Sequence, residues 1–112
     1  MMVVGPSKYD KYLTPYLRHG MYFRRFSEQG TDISASPVAK GPAIVWLLDY
    51  LNLTKDNAIS FGDSDLDISS FENTTYSVCM GNAKDEIKKE AAYVAPSIKE
   101  SGVADFIKKH LF

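Results

Sequence analysis

The sequence is poor in the residues that most often carry covalent or metal chemistry. Its 112 residues include one cysteine, Cys79, and two histidines, His19 and His110. A single cysteine cannot form an internal disulfide, and it does not by itself make a metal cluster. The apolar neighbours of Cys79 instead predict that it is a small buried hydrophobe.

The sequence also lacks long apolar runs and any strong imbalance of charge. The longest apolar run, residues 43–48, is far too short to span a bilayer, and the N-terminus has no basic region followed by an apolar core, as a signal peptide would. The 13 basic and 14 acidic residues give a net charge of -1. This balance does not indicate a basic surface that would bind nucleic acid or an anionic membrane. We therefore expect a soluble cytoplasmic protein whose partners include neither nucleic acid nor a membrane.

Residues 1–38 are predicted to hold a helix followed by a β-hairpin. Apolar side chains recur at helical spacing over residues 9–17, although Pro15 counts against a long regular helix. Residues 21–27 and 31–35 are typical of two short strands that are joined by a turn. The chain is expected to divide after this hairpin, where small residues and a proline break the pattern.

From Lys40 onwards, helical and strand patterns alternate regularly. Lys40-Gly41-Pro42 begins a helix with one apolar face, formed by Ala43, Ile44, Leu47, Leu48 and Leu51. The remaining predicted strands are 57–61, 75–80 and 93–95, and the remaining predicted helices are 66–71, 84–91 and 102–110. This alternation is typical of βαβ units, so we predict an α/β fold with a parallel sheet and flanking helices.

Three carboxylates follow the first of these strands within a few residues. Asp63, Asp65 and Asp67 come just after the apolar run that ends at Phe61, on the edge of an open α/β sheet where ligands bind. Acids this close repel one another unless a cation lies among them, and a hard divalent cation is the natural candidate. The alternative is a solvated acidic turn that caps the next helix.

Two other families of acidic loop fit the sequence less well. An EF-hand loop would need glycine and glutamate where this chain has Ile68 and Thr74. A Gly-Asp-Ser esterase would use Ser64 as its nucleophile and would need a histidine base. His110 stands two residues from the end of the sequence and lacks the Asp-x-x-His pairing of those enzymes.

Lys40 and Asn82 are two further candidate site residues, and Asn82 lies on the same carboxyl edge of the predicted sheet as the acidic loop. A cation in the first turn of a helix opposes the macrodipole, so Lys40 is better placed if it binds an anion there; otherwise it is an exposed lysine. Asn82 follows the second strand of the predicted sheet. It either caps the next helix or places an amide near a ligand that the Asp63 loop holds.

These motifs form an ordered set. They are Val38-Ala39-Lys40-Gly41, Ser60-Phe61-Gly62-Asp63-Ser64-Asp65-Leu66-Asp67-Ile68, Val78-Cys79-Met80-Gly81-Asn82-Ala83, Ala91-Ala92-Tyr93-Val94 and Ser101-Gly102-Val103-Ala104. The succession resembles the C-terminal half of the haloacid dehalogenase-like (HAD) phosphatases of the Cof type, or class IIB, over about residues 31–112. The resemblance implies that residues 39–112 form the C-terminal half of a Rossmann-like HAD core domain and that residues 1–38 are a remnant of the α+β cap domain.

The resemblance also implies a Mg²⁺-dependent phosphatase of small phosphorylated metabolites. Lys40 matches the catalytic lysine that neutralises the phosphoryl group and the attacking carboxylate. Asp63 and Asp67 match the metal-site acids: the first holds Mg²⁺ and the second supports the metal shell. Lys40 and Asn82 are the expected phosphate-binding residues. The family usually has asparagine where this chain has Leu66.

The family's nucleophile motif, Asp-x-Asp-Gly, does not occur in this sequence. We therefore expect a fragment that lacks the Asp nucleophile and is inactive alone, or alternatively a non-catalytic truncated binding or interaction module. In the family, the missing nucleophile strand pairs with the strand at residues 57–61. That strand is expected to be an open edge, covered by a second copy, by residues 1–35 or by the missing N-terminal half.

Overall fold

The computed structural model describes residues 2–18, 20–35 and 39–112. The chain divides into two compact units, residues 1–38 and residues 39–112. In chain order the elements are β1 (Met2–Val4), α1 (Asp10–Leu13), β2 (Met21–Ser27), β3 (Gly30–Ala35), α2 (Lys40–Tyr50), β4 (Ile59–Gly62), α3 (Ile68–Phe71), β5 (Tyr76–Met80), α4 (Asp85–Lys88), β6 (Tyr93–Ala95) and α5 (Gly102–His110). Within the described ranges, no helix is long and apolar enough to cross a membrane.

The first unit contains an antiparallel sheet in the order β1-β3-β2. The predicted hairpin is confirmed, with Phe23 opposite Ile33 and an irregularity in the register between Arg25 and Ser27. Strand β1 was not predicted from the sequence. The chain was expected to divide at residues 34–37; residues 34 and 35 belong to β3, while residues 36–38 and His19 lie outside the described residues.

The predicted N-terminal helix is present but short, in line with the expectation that Pro15 counts against a long regular helix. Only the four residues of α1 are α-helical, and the turns Ser7–Tyr9 and Thr14–Tyr16 on either side are 3₁₀. Pro15 lies at the start of the second turn, where its missing N–H and its ring prevent the helix from continuing.

Arg25 connects three parts of the first unit. Its guanidinium donates two hydrogen bonds to the Asp10 carboxylate and others to the carbonyls of Gly5, Ser27 and Glu28. The hydrogen bond from Arg25 lowers the pKa of Asp10. The chain before α1 and the turn after β2 are therefore attached to the same side chain.

The second unit contains a parallel sheet in the order β4-β5-β6, which confirms the predicted α/β fold. Its central strand, β5, is buried along all but its first residue. One group of core residues packs Val78, Met80 and Ala95 with Phe106 of α5. A separate group packs Cys79 with Phe71 and Ala83. Cys79 is thus a buried hydrophobe, as predicted.

The sheet of the second unit ends at β4. Among the described strands, β4 pairs with β5 alone, so its other edge carries no strand partner. Near it in sequence, α2 exposes much of its apolar surface, including Leu47 and Leu51 of the predicted apolar face at 48% and 50%. Trp46 and Tyr50 stack on each other, with ring centroids 5.5 Å apart. The apolar face predicted for this helix is therefore largely exposed in this chain.

Helix α4 is much shorter than the predicted helix at residues 84–91. It ends at Lys88, and the following residues turn back towards the sheet. The backbone N–H of Ala92 donates to Ser77 Oγ of β5 at 3.0 Å, which anchors the chain just before β6. The helix ends early because the chain must then pair as β6 with β5.

Candidate functional site

The acidic loop after β4 is built around Asp67. One oxygen of its carboxylate, Oδ2, accepts hydrogen bonds from the backbone N–H of Asp63, the backbone N–H of Ser64 and the Ser64 hydroxyl, at 3.0, 3.1 and 3.0 Å. Ser64 and Asp67 thereby form a capping box at the start of the 3₁₀ turn Asp65–Asp67, in which the Asp67 carboxylate accepts from the Ser64 backbone N–H. Asp67 therefore fixes the loop conformation, while the carboxylates of Asp63 and Asp65 belong to exposed residues.

The other oxygen of Asp67 pairs with Lys40. Lys40 Nζ donates to Asp67 Oδ1, and the two side chains are 59% and 6% exposed, respectively. Burial alone would raise the pKa of Asp67, but the hydrogen bonds from Lys40 and from the loop outweigh it and hold the pKa below its ordinary value of 3.8. Asp67 is thus a buried anion, and it holds the start of α2 next to the acidic loop.

Two glycines make this pairing possible. A Cβ atom on Gly62 would lie 2.6 Å from Asp67 Cγ and nearer still to its Cβ. A Cβ atom on Gly41 would lie 2.7 Å from the Nδ2 of Asn73 and would collide with the carbonyl of Ser69. The backbone N–H of Gly41 also donates to Ser69 Oγ at 3.2 Å, so the first turn of α2 lies directly on α3.

Ser69 and Asn73 take part in this packing, and no sequence pattern pointed to either residue. Asn73 Nδ2 donates to the Ser69 carbonyl at 2.7 Å. The two residues are four apart on the chain, as on one face of a helical turn. That spacing is common in any helix, so it carries no functional signal by itself.

Asn82 lies at the same end of the sheet and uses both ends of its amide. Its Nδ2 donates to Asp63 Oδ2 at 3.1 Å, and its Oδ1 accepts from the backbone N–H of Ile98 at 3.0 Å. The structure thus brings Asn82 to Asp63, and Lys40 to Asp67.

The described residues provide only part of a metal site. Among residues 2–18, 20–35 and 39–112 there is no group of three or more His, Cys, Asp or Glu side chains arranged to hold a metal ion. Mg²⁺ is commonly bound through one or two carboxylates, together with water and substrate phosphate. The exposed carboxylate of Asp63 fits one such position. Both oxygens of Asp67 already have hydrogen-bond partners, which suits a supporting role.

The esterase alternative lacks its base in the described structure. The Ser64 hydroxyl donates to Asp67. The ring of His110 stacks on Phe106, with centroids 4.3 Å apart. Neither contact is that of a nucleophile and its base, and His19 lies outside the described residues.

Sequence comparison matches this chain to a family model. It is described as haloacid dehalogenase-like hydrolase, and it matches residues 5–107. Phosphoglycolate phosphatase 1 of Saccharolobus solfataricus is 29% identical over 106 residues, which are 95% of this chain and 46% of the relative. The 5-amino-6-(5-phospho-D-ribitylamino)uracil phosphatase YwtE of Bacillus subtilis is 36% identical over 76 residues, 68% of this chain and 27% of the relative.

Solved structures give the same result for the fold. A haloacid dehalogenase-like hydrolase from Bacteroides thetaiotaomicron matches 99% of this chain with a TM-score of 0.86 and 25% identity. The HAD subclass IIB sugar phosphatase BT4131 matches 96% with a TM-score of 0.76 and 25% identity. The match covers 43% of the first protein and 41% of the second, so this chain spans less than half the length of the relatives compared here.

Proposed function

The chain belongs to the haloacid dehalogenase-like hydrolases, as a Cof-type (class IIB) member, and on that premise we propose that it supplies the lysine-and-acid half of a Mg²⁺-dependent phosphatase. The observation that supports this most directly is the convergence of Lys40, Asp63 and Asp67 beyond the carboxyl end of β4. A lysine at a helix start, held by a buried acid beside an exposed carboxylate, is a suitable arrangement for a phosphoryl group and its cation.

Lys40 would bind the phosphoryl group. One hydrogen bond of its ammonium goes to Asp67, and an ammonium has three N–H donors. More than half of the side chain is exposed, so donors remain for phosphate oxygens. Asp67 would keep the ammonium in place rather than contact the substrate.

Asp63 would provide the protein's oxygen ligand to Mg²⁺. A bound Mg²⁺ stabilises the charge of a transferring phosphoryl group. The acid is exposed, and the hydrogen bond from Asn82 engages one oxygen, Oδ2. Asp67 supports this position indirectly, because it accepts the backbone N–H of Asp63.

The nucleophile would come from residues outside this sequence. No Asp-x-Asp-Gly motif occurs in the 112 residues, and the proposed reaction needs a carboxylate that takes the phosphoryl group and is then released by water. The open edge of β4 is the expected place for a further strand. We expect this chain to have no turnover by itself.

The substrate class is a small phosphorylated metabolite. The two relatives above are named for phosphoglycolate and for a phosphorylated ribitylaminouracil, which differ greatly in structure but share a phosphoryl group. The described site includes groups that suit a phosphoryl group and its cation. The site therefore supports binding of a phosphoryl group in general, and it does not favour either of these two compounds as the substrate.

A non-catalytic binding or interaction module is the second candidate. Leu66 stands half-buried at the position where the family usually has an amide, and the described residues form no multi-ligand metal cluster. A truncated relative with these features would retain the fold and lose tight metal and phosphate binding.

Isothermal titration of the purified 112-residue chain with Mg²⁺, with and without inorganic phosphate, tests the proposal. We expect weak binding that strengthens when both are present and that is lost in Lys40→Ala and Asp63→Asn. Lys55→Ala and Asp65→Asn are matched controls, because both residues are exposed and should leave binding unchanged. If phosphate does not strengthen the binding of Mg²⁺, the result would favour the non-catalytic module.

A phosphatase assay on the same preparation checks the missing nucleophile. We expect no turnover of small phosphorylated metabolites by the chain alone at any Mg²⁺ concentration. Turnover that disappears in Asp63→Asn would contradict the assignment of the nucleophile to residues outside the chain.

A further inference from the structure

We propose that Asn82 is a positioning residue that fixes the orientation of the Asp63 carboxylate by attaching it to the segment after β6. The inference rests on the function proposed for Asp63. It differs from the sequence-based expectation that Asn82 contacts phosphate directly, because the structure gives both ends of its amide partners within the protein.

Asn82 connects the ends of all three parallel strands. It follows β5 directly after Gly81, it donates to Asp63 after β4, and it accepts from Ile98 after β6. A single side chain thus crosses the whole carboxyl edge of the sheet, where ligands of open α/β sheets bind.

The bond from Ile98 determines which end of the amide faces Asp63. A backbone N–H can only donate, so it selects the carbonyl oxygen of Asn82 and turns the NH₂ group towards the carboxylate. The NH₂ group donates to Oδ2 of Asp63 at 3.1 Å. The donor therefore constrains one oxygen of Asp63. The structure gives the other oxygen, Oδ1, no hydrogen bond within the described residues.

The backbone on both sides of Asn82 is held close to the β6 exit. Gly81 N–H lies 3.4 Å from the Pro96 carbonyl, and a Cβ atom on Gly81 would lie 2.9 Å from the Ala95 carbonyl and 3.0 Å from the Ser97 nitrogen. Ser97 in turn donates from its backbone and hydroxyl to Glu100. Asn82 is thus attached to a segment that has its own local hydrogen bonds.

This arrangement is that of an outer-shell partner of a metal ligand. Hydrogen bonds to a ligating carboxylate orient it, and their removal typically costs about 10–100-fold in metal affinity. If Asn82 served only to accept the hydrogen bond from Ile98, its replacement would not change the orientation of the Asp63 carboxylate. The two roles can therefore be separated experimentally.

The first test needs no metal. In the isotopically labelled 112-residue chain, three-bond NMR couplings to Asp63 Cγ report its χ1 rotamer, and hydrogen exchange reports the Ile98 amide. We expect one dominant Asp63 rotamer in the wild type. In Asn82→Ala we expect averaged couplings at Asp63 and faster exchange at Ile98. Asn57→Ala is the matched control, because its amide accepts from Thr54 instead, and it should change neither reading.

Asn82→Asp separates the two bonds. It keeps an acceptor for the Ile98 N–H and removes the donor to Asp63, so exchange at Ile98 should stay near that of the wild type. The Asp63 couplings should nevertheless change, because two carboxylates now face each other. If Asp63 keeps its single rotamer in both Asn82 variants, the proposal is overturned and Asn82 serves only the backbone.

A Mg²⁺ titration followed by NMR extends the test to the site. In the wild type we expect the signals of Asp63, the Asn82 side-chain amide and the Ile98 amide to shift together. Asn82→Ala should weaken the apparent Mg²⁺ affinity at Asp63 by roughly tenfold and abolish the shift at Ile98. If Mg²⁺ still shifts the Ile98 signal in Asn82→Ala, Asn82 does not connect Ile98 to Asp63.

The outcomes distinguish this inference from the proposed function. If Mg²⁺ causes no shift at Asp63 while the rotamer of Asp63 still depends on Asn82, the metal assignment fails and the positioning role stands. If Asp63 responds to Mg²⁺ equally in the wild type and in both Asn82 variants, the metal assignment stands and the positioning role fails.

Discussion

Lys40 and Asp67 are 27 residues apart in the sequence, and the ammonium of one pairs with the buried carboxylate of the other. The second oxygen of Asp67 accepts three hydrogen bonds from the preceding loop. One side chain therefore holds both the start of α2 and the acidic loop at the end of β4, and the candidate site depends on it.

Replacing Asp67 should destabilise the second unit. Asp67→Ala removes the acceptor for the Asp63 and Ser64 donors and leaves Lys40 without its partner, so we expect a loss of about 2–3 kcal/mol in the free energy of unfolding. Urea denaturation followed by circular dichroism measures this. Asp65→Ala, at an exposed position of the same loop, should cost much less. Equal losses in the two variants would show that the Asp67 contacts contribute little.

The contribution of Asp67 should disappear in acid. Its pKa is lower in the folded chain than its ordinary value of 3.8, so the ionised carboxylate stabilises the fold above that pH. The stabilisation is lost as the pH falls through the folded-state pKa. The difference in unfolding free energy between wild type and Asp67→Ala should therefore be constant from about pH 7 to pH 5 and shrink below about pH 4.

Other acids with lowered pKa values do not affect this difference between wild type and Asp67→Ala. The pKa of Asp10 is lowered by the hydrogen bond from Arg25, and that of Glu100 by hydrogen bonds from Ser97. Both remain in the variant and contribute equally to the two proteins. A difference that stays constant down to pH 2 would contradict the depressed pKa of Asp67.

Adding one methyl group at Gly62 should disturb the site. The new Cβ atom would lie 2.6 Å from Asp67 Cγ, so Asp67 must move away from Lys40 and the loop, at a cost of roughly 1–3 kcal/mol. Thermal unfolding measures the loss. Gly5→Ala is the control, because its Cβ atom would meet nothing nearer than a Tyr9 ring atom at 4.0 Å. Similar melting temperatures for wild type and Gly62→Ala would refute the close approach.

Arg25→Lys should loosen the first unit selectively. Lysine cannot reproduce the forked contact with Asp10 together with bonds to three carbonyls. We expect faster hydrogen exchange in β1, β2 and β3 and unchanged exchange in β5. Arg24→Lys, at an exposed neighbouring position, should leave both sheets unaffected.

Local sequence patterns predicted several elements to the residue. The strand at 21–27, the strand at 93–95 and the helix at 102–110 are found with the predicted bounds. Each is bounded by a residue with strong local preferences, such as Pro96 after β6, which cannot continue a sheet ladder. The parallel sheet also followed from the alternation of elements, because such connections have few alternatives.

Strand β1 and the end of helix α4 differ from the sequence-based prediction because distant residues decide their structure. Strand β1 has only three residues, and it exists because it pairs with β3. Helix α4 ends early because Ala92 must bond Ser77 of β5. Neither partner is near in sequence, so no local pattern could reveal them.

The sequence by itself determined which residues could form the site. The order of Lys40, the Gly62-Asp63 loop and Asn82 indicated the family, and the absence of an Asp-x-Asp-Gly motif led only to the expectation that the nucleophile lies outside this sequence. Only the tertiary structure decided which partners each of these residues has. Three acids within five positions look equivalent along the chain, but Asp67 is buried against Lys40 while Asp63 is exposed and attached to Asn82. The reason is physical: identical carboxylates differ in burial and in hydrogen-bond partners, and both are set by the packing of α2, α3 and the three strands.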